Sequence, residues 1–189
     1  MNLKLRSALA RGATILVVLA AGCAAPSRFD VPGRGALAAD IVRGWRKDSR
    51  LTAARLMEEY GPPDALSKNG LGWKDKGPWK RIVIWNPAAF ERAADQYLEQ
   101  TVAYAAPEDR RQALEEFNDK ARVIEEGAAL TACSNAEALN FLAINLAEEI
   151  GQGVREPEPA RLFYERSVAL AASGKNSPYM QGLLFQQKP

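Results

Sequence analysis

The tripeptide Gly61-Pro62-Pro63 divides this chain into two kinds of pattern. Proline lacks a backbone N–H and fixes φ, so two in succession after a glycine end any helix that reaches them. Upstream, apolar residues recur at helical spacing; downstream, over 65–86, they read as strands. Lys80-Arg81-Ile82-Val83-Ile84-Trp85 is β-branched and aromatic and is the strongest strand of the chain. Asn69-Gly70 and Gly77-Pro78 are turn signals on either side of a shorter strand around 71–74, so the stretch predicts a β-hairpin that Asn86-Pro87 closes.

Two helices precede the break. Leu37, Ile41 and Trp45 fall four apart and predict a helix over 37–47. The second runs over 52–60, with Thr52 as N-cap and Leu51 and Leu56 at the spacing of a hydrophobic staple. After the hairpin, Phe90, Ala94, Tyr97, Leu98 and Val102 predict a helix over 90–104, and a charged stretch from Pro107 that carries Leu114 and Phe117 predicts another. Segments 122–125 and 129–133, broken at Gly127, predict a strand pair. Leu139, Leu142, Ala143, Leu146 and Ile150 form a continuous stripe, widened by Phe141 and Ile144, that predicts a central helix opened by a capping box of Ser134 and Glu137. Pro157 suits the first turn of a final helix, and the apolar tail of Tyr179, Met180, Leu183, Leu184 and Phe185 packs back on the domain. The fold class is α+β: a helix-rich single domain over 36–189 with a small antiparallel sheet.

The 189 residues include no histidine, which excludes a Ser-His-Asp triad, a Cys-His dyad and any His-ligated metal. Acidic pairs stand at Glu58-Glu59, Glu115-Glu116, Glu125-Glu126 and Glu148-Glu149. Neighbours on a helix point about 100° apart, whereas a glycosidase needs two carboxyls from separate elements about 5–9 Å apart across one bond. No glycine run precedes a helix as a phosphate loop does, and no Asp-rich calcium loop is present, so no cofactor is implied. Asn140 and Asn145 sit within the apolar central helix, where they either satisfy neighbouring backbone groups or line a polar pocket. Trp73, Trp79, Lys80 and Arg81 form the richest cluster. Its two readings are an aromatic sheet face under helices, or a recognition surface for an anionic glycan, a lipid headgroup or an envelope protein. On an alternating strand Trp79, Arg81, Val83 and Trp85 share one face and Lys80, Ile82 and Ile84 the other. Trp85 is expected in the core, and Trp79 stays open between core and surface, since it follows Gly77-Pro78 at the strand's entrance, where side chains are often exposed.

Lys4, Arg6 and Arg11 precede a short apolar run over 13–21. A bilayer core about 30 Å thick needs roughly 20 apolar residues, so this run reads as a secretory signal rather than a span. Leu19-Ala20-Ala21-Gly22-Cys23 resembles the lipobox of bacterial lipoproteins, with Ala20 at the position where leucine is usual. The resemblance implies cleavage after residue 22, acylation of Cys23, and attachment to the membrane through that lipid. Residues 23–35, rich in Pro and Gly, are then a flexible tether. Ala24, where aspartate would retain a lipoprotein in the inner membrane, implies the outer membrane facing the periplasm in a Gram-negative source. The leader carries three of the 25 basic side chains and none of the 23 acidic ones, leaving a mature charge of −1. The basic pI of about 8.6 therefore belongs mostly to the leader and gives no ground for a nucleic-acid partner. With Cys23 acylated, Cys133 has no intramolecular disulfide partner and is expected as a small buried hydrophobe.

Tyr60-Gly61-Pro62-Pro63, Gly72-Trp73, Gly77-Pro78-Trp79-Lys80-Arg81 and Leu139-Asn140-Phe141-Leu142-Ala143-Ile144-Asn145-Leu146-Ala147 together resemble a family of uncharacterised bacterial lipoproteins, over most of 50–186. Residues 36–86, two helices, a Gly-Pro turn and a hairpin with Trp, are more distantly similar to the small α+β lipoproteins that help assemble outer-membrane β-barrels. Both likenesses imply an envelope lipoprotein that acts by binding or scaffolding, and neither supplies a catalytic residue. The rival class is a lipid-anchored hydrolase or glycan-modifying enzyme that uses carboxylates.

Overall fold

The computed structural model describes residues 33–89 and 95–187; the leader, Cys23 and most of the tether lie outside them. Among the described residues five α-helices and six strands form one α+β arrangement. The helices are α1 (Arg34–Val42), α2 (Lys47–Tyr60), α3 (Arg111–Glu116), α4 (Glu137–Gly151) and α5 (Pro157–Ala172). The strands are β1 (Ala65–Ser67), β2 (Gly70–Lys76), β3 (Trp79–Trp85), β4 (Leu98–Ala103), β5 (Ala121–Ile124) and β6 (Ala129–Ser134). They form one antiparallel sheet in the order β1-β2-β3-β4-β6-β5.

Cross-strand pairs explain where the core sits. Leu71 faces Ile84, which faces Leu98; Trp73 faces Ile82; Val102 faces Leu130. All seven are buried and make the sheet face that α2 and α4 cover. Helix α4 is the centre of the fold, with Leu142 to Ala147 buried as an unbroken run. Gly151 ends it where nothing larger fits: a Cβ there would lie 1.9 Å from the Tyr104 hydroxyl oxygen. The C-terminal tail does pack back, held by Asn145. Its Nδ2 donates to the carbonyls of Tyr179 (3.0 Å) and Gly182 (2.8 Å), while its Oδ1 accepts from the Leu184 N–H (2.8 Å).

The helix α5, the hairpin of β2 and β3, and the strand pair of β5 and β6 stand where the sequence pattern places them. Other elements depart from it. The first helix ends at Val42 rather than Lys47, and α2 begins at Lys47, so Thr52 lies inside it instead of capping it. The buried positions of α1 are Ala38 and Val42, one place round from the expected stripe, which leaves Leu37 58% exposed. Leu51 is 50% exposed and staples nothing. The helix expected over 90–104 is strand β4 from Leu98 onward, and residues 90–94 lie outside the described residues. Leu98 and Val102 are four apart, which suits a helix, but they also alternate with a buried Gln100 whose polarity conceals the strand period. Central position between β3 and β6 settles the matter, since each strand offers β4 a full hydrogen-bonding edge. Finally, the capping box fails. The N-cap of α4 is Ala136 with no side-chain bond, and Ser134 ends β6, where its hydroxyl instead bonds Ala136.

Candidate functional site

The tryptophan cluster dissolves as a recognition surface. Trp73 and Trp79 are each 1% exposed. Trp73 donates its indole N–H to the Gly61 carbonyl at 2.9 Å, which ties β2 to the end of α2. Trp79 stacks on Phe141 of α4, with centroids 4.7 Å apart and planes at 27°, and donates its N–H to Glu137 Oε1. The strand does not alternate as expected. Lys80 and Arg81 are both exposed between buried Trp79 and Ile82; Arg81 pairs with Lys74, and the next residue on that strand, Asp75, has a φ of 50° that marks a distorted hairpin tip. The tip therefore rolls Trp79 onto the helix side, while Trp85, expected in the core, is only half-buried. The charges are engaged as well: Lys80 pairs with Glu125 at 2.6 Å and Arg81 with Glu99 at 3.2 Å. The two indoles are therefore spent inside the fold, while the two cations stand exposed in ion pairs.

In place of a capping role, Glu137 gathers a polar knot. Its Oε1 accepts from the Tyr60 hydroxyl (2.9 Å), from Gln100 Nε2 (3.0 Å) and from the Trp79 indole. Burial, and then the Glu137 carboxylate it bonds, push the Tyr60 hydroxyl well above the usual tyrosine range. Gln100 Oε1 in turn accepts from Asn140 Nδ2 (2.8 Å), which also donates to the Leu98 carbonyl (3.0 Å). Since a carbonyl can only accept, the Asn140 amide has one orientation. That orientation leaves Asn140 Oδ1 buried with no partner among the described residues. A buried acceptor without a donor is rare in a native fold.

Asn140 lines a polar cleft of about 310 Å³ walled by β6, α4 and α5. An adjoining hollow of about 320 Å³ shares Gln96, Asp119, Lys120 and Cys133 with it and adds Asn118, Arg122 and Thr131. Across the mouth, Asp119 is held by Lys120 (3.2 Å) and by Arg161 (3.3 Å), and the Lys120 ammonium lies 5.1 Å from the Tyr164 ring centroid. Burial, followed by the charges of Asp95 and Asp119, raises the Tyr164 hydroxyl above its ordinary value. Arg122 is exposed and in no ion pair among the described residues. Cys133 is half-buried in the cleft wall rather than in the core. No group of three or more acidic or cysteine side chains able to hold a metal ion occurs among the described residues.

The cleft carries two carboxylates, Asp95 and Asp119. Both are exposed, and Asp119 is already engaged by two cations. Sequence reading singled out Asn140, but not this cleft. Its walls come from five separated segments, and the orphaned oxygen emerges only once the Gln100 and Leu98 bonds are known. Comparison of the chain with protein-family models, with curated proteins and with solved structures returns no match in any of the three, so the site stands on its own geometry.

Proposed function

We propose that this chain is a bacterial envelope lipoprotein, acylated at Cys23, whose domain binds a small polar ligand in the cleft between β6, α4 and α5. The location rests on the basic start, the short apolar run and the Leu19-to-Cys23 motif. The binding role is carried by one observation: Asn140, whose side-chain oxygen has no hydrogen-bond partner among the described residues, belongs to the lining of this cleft. Such an acceptor suits a ligand that presents an N–H or O–H donor. Arg122 at the adjoining hollow adds a cation for a carboxylate. An N-acetylated, carboxylate-bearing sugar combines both groups, so the ligand class is an anionic envelope glycan, taken here rather than at the tryptophan hairpin.

Saturation-transfer NMR with a muramyl disaccharide tests this reading. Transfer to the N-acetyl group is expected with the wild-type domain and is lost in Arg122→Glu and in Val168→Trp, which fills the cleft. Equal transfer in all three proteins, or none in any, removes the cleft as the ligand site.

A further inference from the structure

The exposed side of α2 carries a pattern that neither the core nor the cleft uses. Lys47, Arg50, Leu51, Ala54 and Arg55 fall at i, i+3, i+4, i+7 and i+8 and are all exposed, while Ser49, Ala53 and Leu56 on the other side are buried. Arg43 and Arg46, exposed in the turn before α2, extend this stripe. Arg50 Nη1 reaches the Arg43 carbonyl at 3.4 Å, so turn and helix make one patch. Between residues 43 and 55 there are five cations and a single acid, Asp48, a local charge of +4 in a mature chain of −1. Arg43 pairs with Asp40 at 2.5 Å, but Arg46, Lys47, Arg50 and Arg55 take part in no ion pair among the described residues. Leu51, half exposed in the middle of them, supplies an aliphatic side chain of the kind that enters a headgroup layer.

We propose that this stripe is a docking surface for the anionic phospholipid layer to which the chain itself is tethered. The inference rests on the reading of Cys23 as the anchor. Charge complementarity identifies the occupant, and the chain's geometry brings it there. Cys23 lies ten residues before Gly33, where the described domain begins with α1 and α2. Ten residues reach at most about 35 Å, so the anchor keeps this pair of helices close to the bilayer surface. Attraction between the patch and anionic headgroups acts within a Debye length of about 8–10 Å, and tethering makes the encounter intramolecular, so modest affinity suffices to hold the domain down. Docked this way, the domain has a fixed face towards the membrane.

The processed chain from residue 23, carrying Cys23→Ser and therefore free of acyl groups, is to be sedimented with vesicles of phosphatidylcholine with or without phosphatidylglycerol. Binding is expected only with phosphatidylglycerol, and it should vanish as salt rises from about 0.1 to about 1 M and the Debye length shrinks from about 10 to about 3 Å. Each cation near an anionic surface strengthens attachment about fivefold, so the triple variant Arg46→Glu, Lys47→Glu, Arg50→Glu should weaken it at least a hundredfold, by about three such factors. A control triple elsewhere, Lys68→Glu, Arg166→Glu, Lys175→Glu, should bind within a few-fold of the parent; thermal melts of both triples confirm that they are folded. Equal binding to both vesicle types, absence of binding, or equal loss in the two triples overturns the docking surface. Fatty-acid labelling at Cys23 is scored separately. A labelled wild type whose acyl-free form ignores phosphatidylglycerol overturns the surface and leaves the anchor standing. An unlabelled wild type whose acyl-free form still binds through these cations supports the surface and removes the anchor.

Discussion

Replacing Trp79 by alanine separates a core indole from a surface one. The ring is 1% exposed and stacks on Phe141 at 4.7 Å, so its removal opens a cavity between β3 and α4. Large aromatics in packed interiors cost about 3–5 kcal/mol on truncation to alanine. The lost N–H adds little beyond that, because Glu137 Oε1 keeps the Tyr60 and Gln100 donors. About 4 kcal/mol is the expected loss, and with a urea slope of about 2 kcal/mol per molar the midpoint should fall by about 2 M. Trp79→Phe keeps an aromatic ring against Phe141 but loses part of the indole together with its N–H, so it should cost less than Trp79→Ala. Trp85→Ala, at a half-buried position, should cost less than half of the Trp79→Ala value. Urea denaturation followed by circular dichroism reads all three. A Trp79→Ala midpoint within about 0.3 M of wild type would place the ring in solvent and refute the packing described here.

Gly151→Ala forces a methyl against the Tyr104 hydroxyl, where a Cβ would lie 1.9 Å from oxygen, and should destabilise by about 1–3 kcal/mol in urea titration; adding Tyr104→Phe should recover part of the loss. Asn145→Ala removes three hydrogen bonds to the tail, worth about 1 kcal/mol each, and should abolish hydrogen-exchange protection of the Leu184 amide while α4 stays protected. The hydroxyls of Tyr60 and Tyr104 both titrate above the ordinary tyrosine value in the fold, chiefly through burial and secondarily through Glu137 and Glu148. The folded state then holds those protons after the unfolded chain has lost them. Stability is therefore fully present below about pH 10 and falls as pH rises beyond it, and Tyr60→Phe should flatten that fall in urea melts taken from pH 9 upward.

The parts legible in the sequence are those where one local signal meets no competitor. Helix α4 has a long apolar stripe, α5 has its proline in the first turn, and β3 is β-branched between turn signals. Strand β4 was hidden because Gln100 is a core residue with a polar side chain, made tolerable by Glu137 and Asn140 far away in sequence. Glu137 follows a related logic: a carboxylate three residues after a serine fits a capping box, but indole, phenol and amide donors from three other elements claim it. The order of Trp79 and Trp85 depends on the hairpin tip, where Asp75 adopts a left-handed backbone that no simple alternation foresees. Of the candidate site, Asn140 could be picked out as a polar residue on an apolar helix, yet its unpartnered oxygen depends on tertiary contacts that spacing does not encode.

Metabolic labelling with an alkyne-tagged fatty acid, on cells that express wild type or Cys23→Ser, tests the membrane anchor most directly. Cys23 precedes the described domain, so the substitution leaves the fold intact and isolates the lipid. Wild type should take up the label and sediment with membranes, and the variant should do neither. Equal label on both proteins would contradict the account.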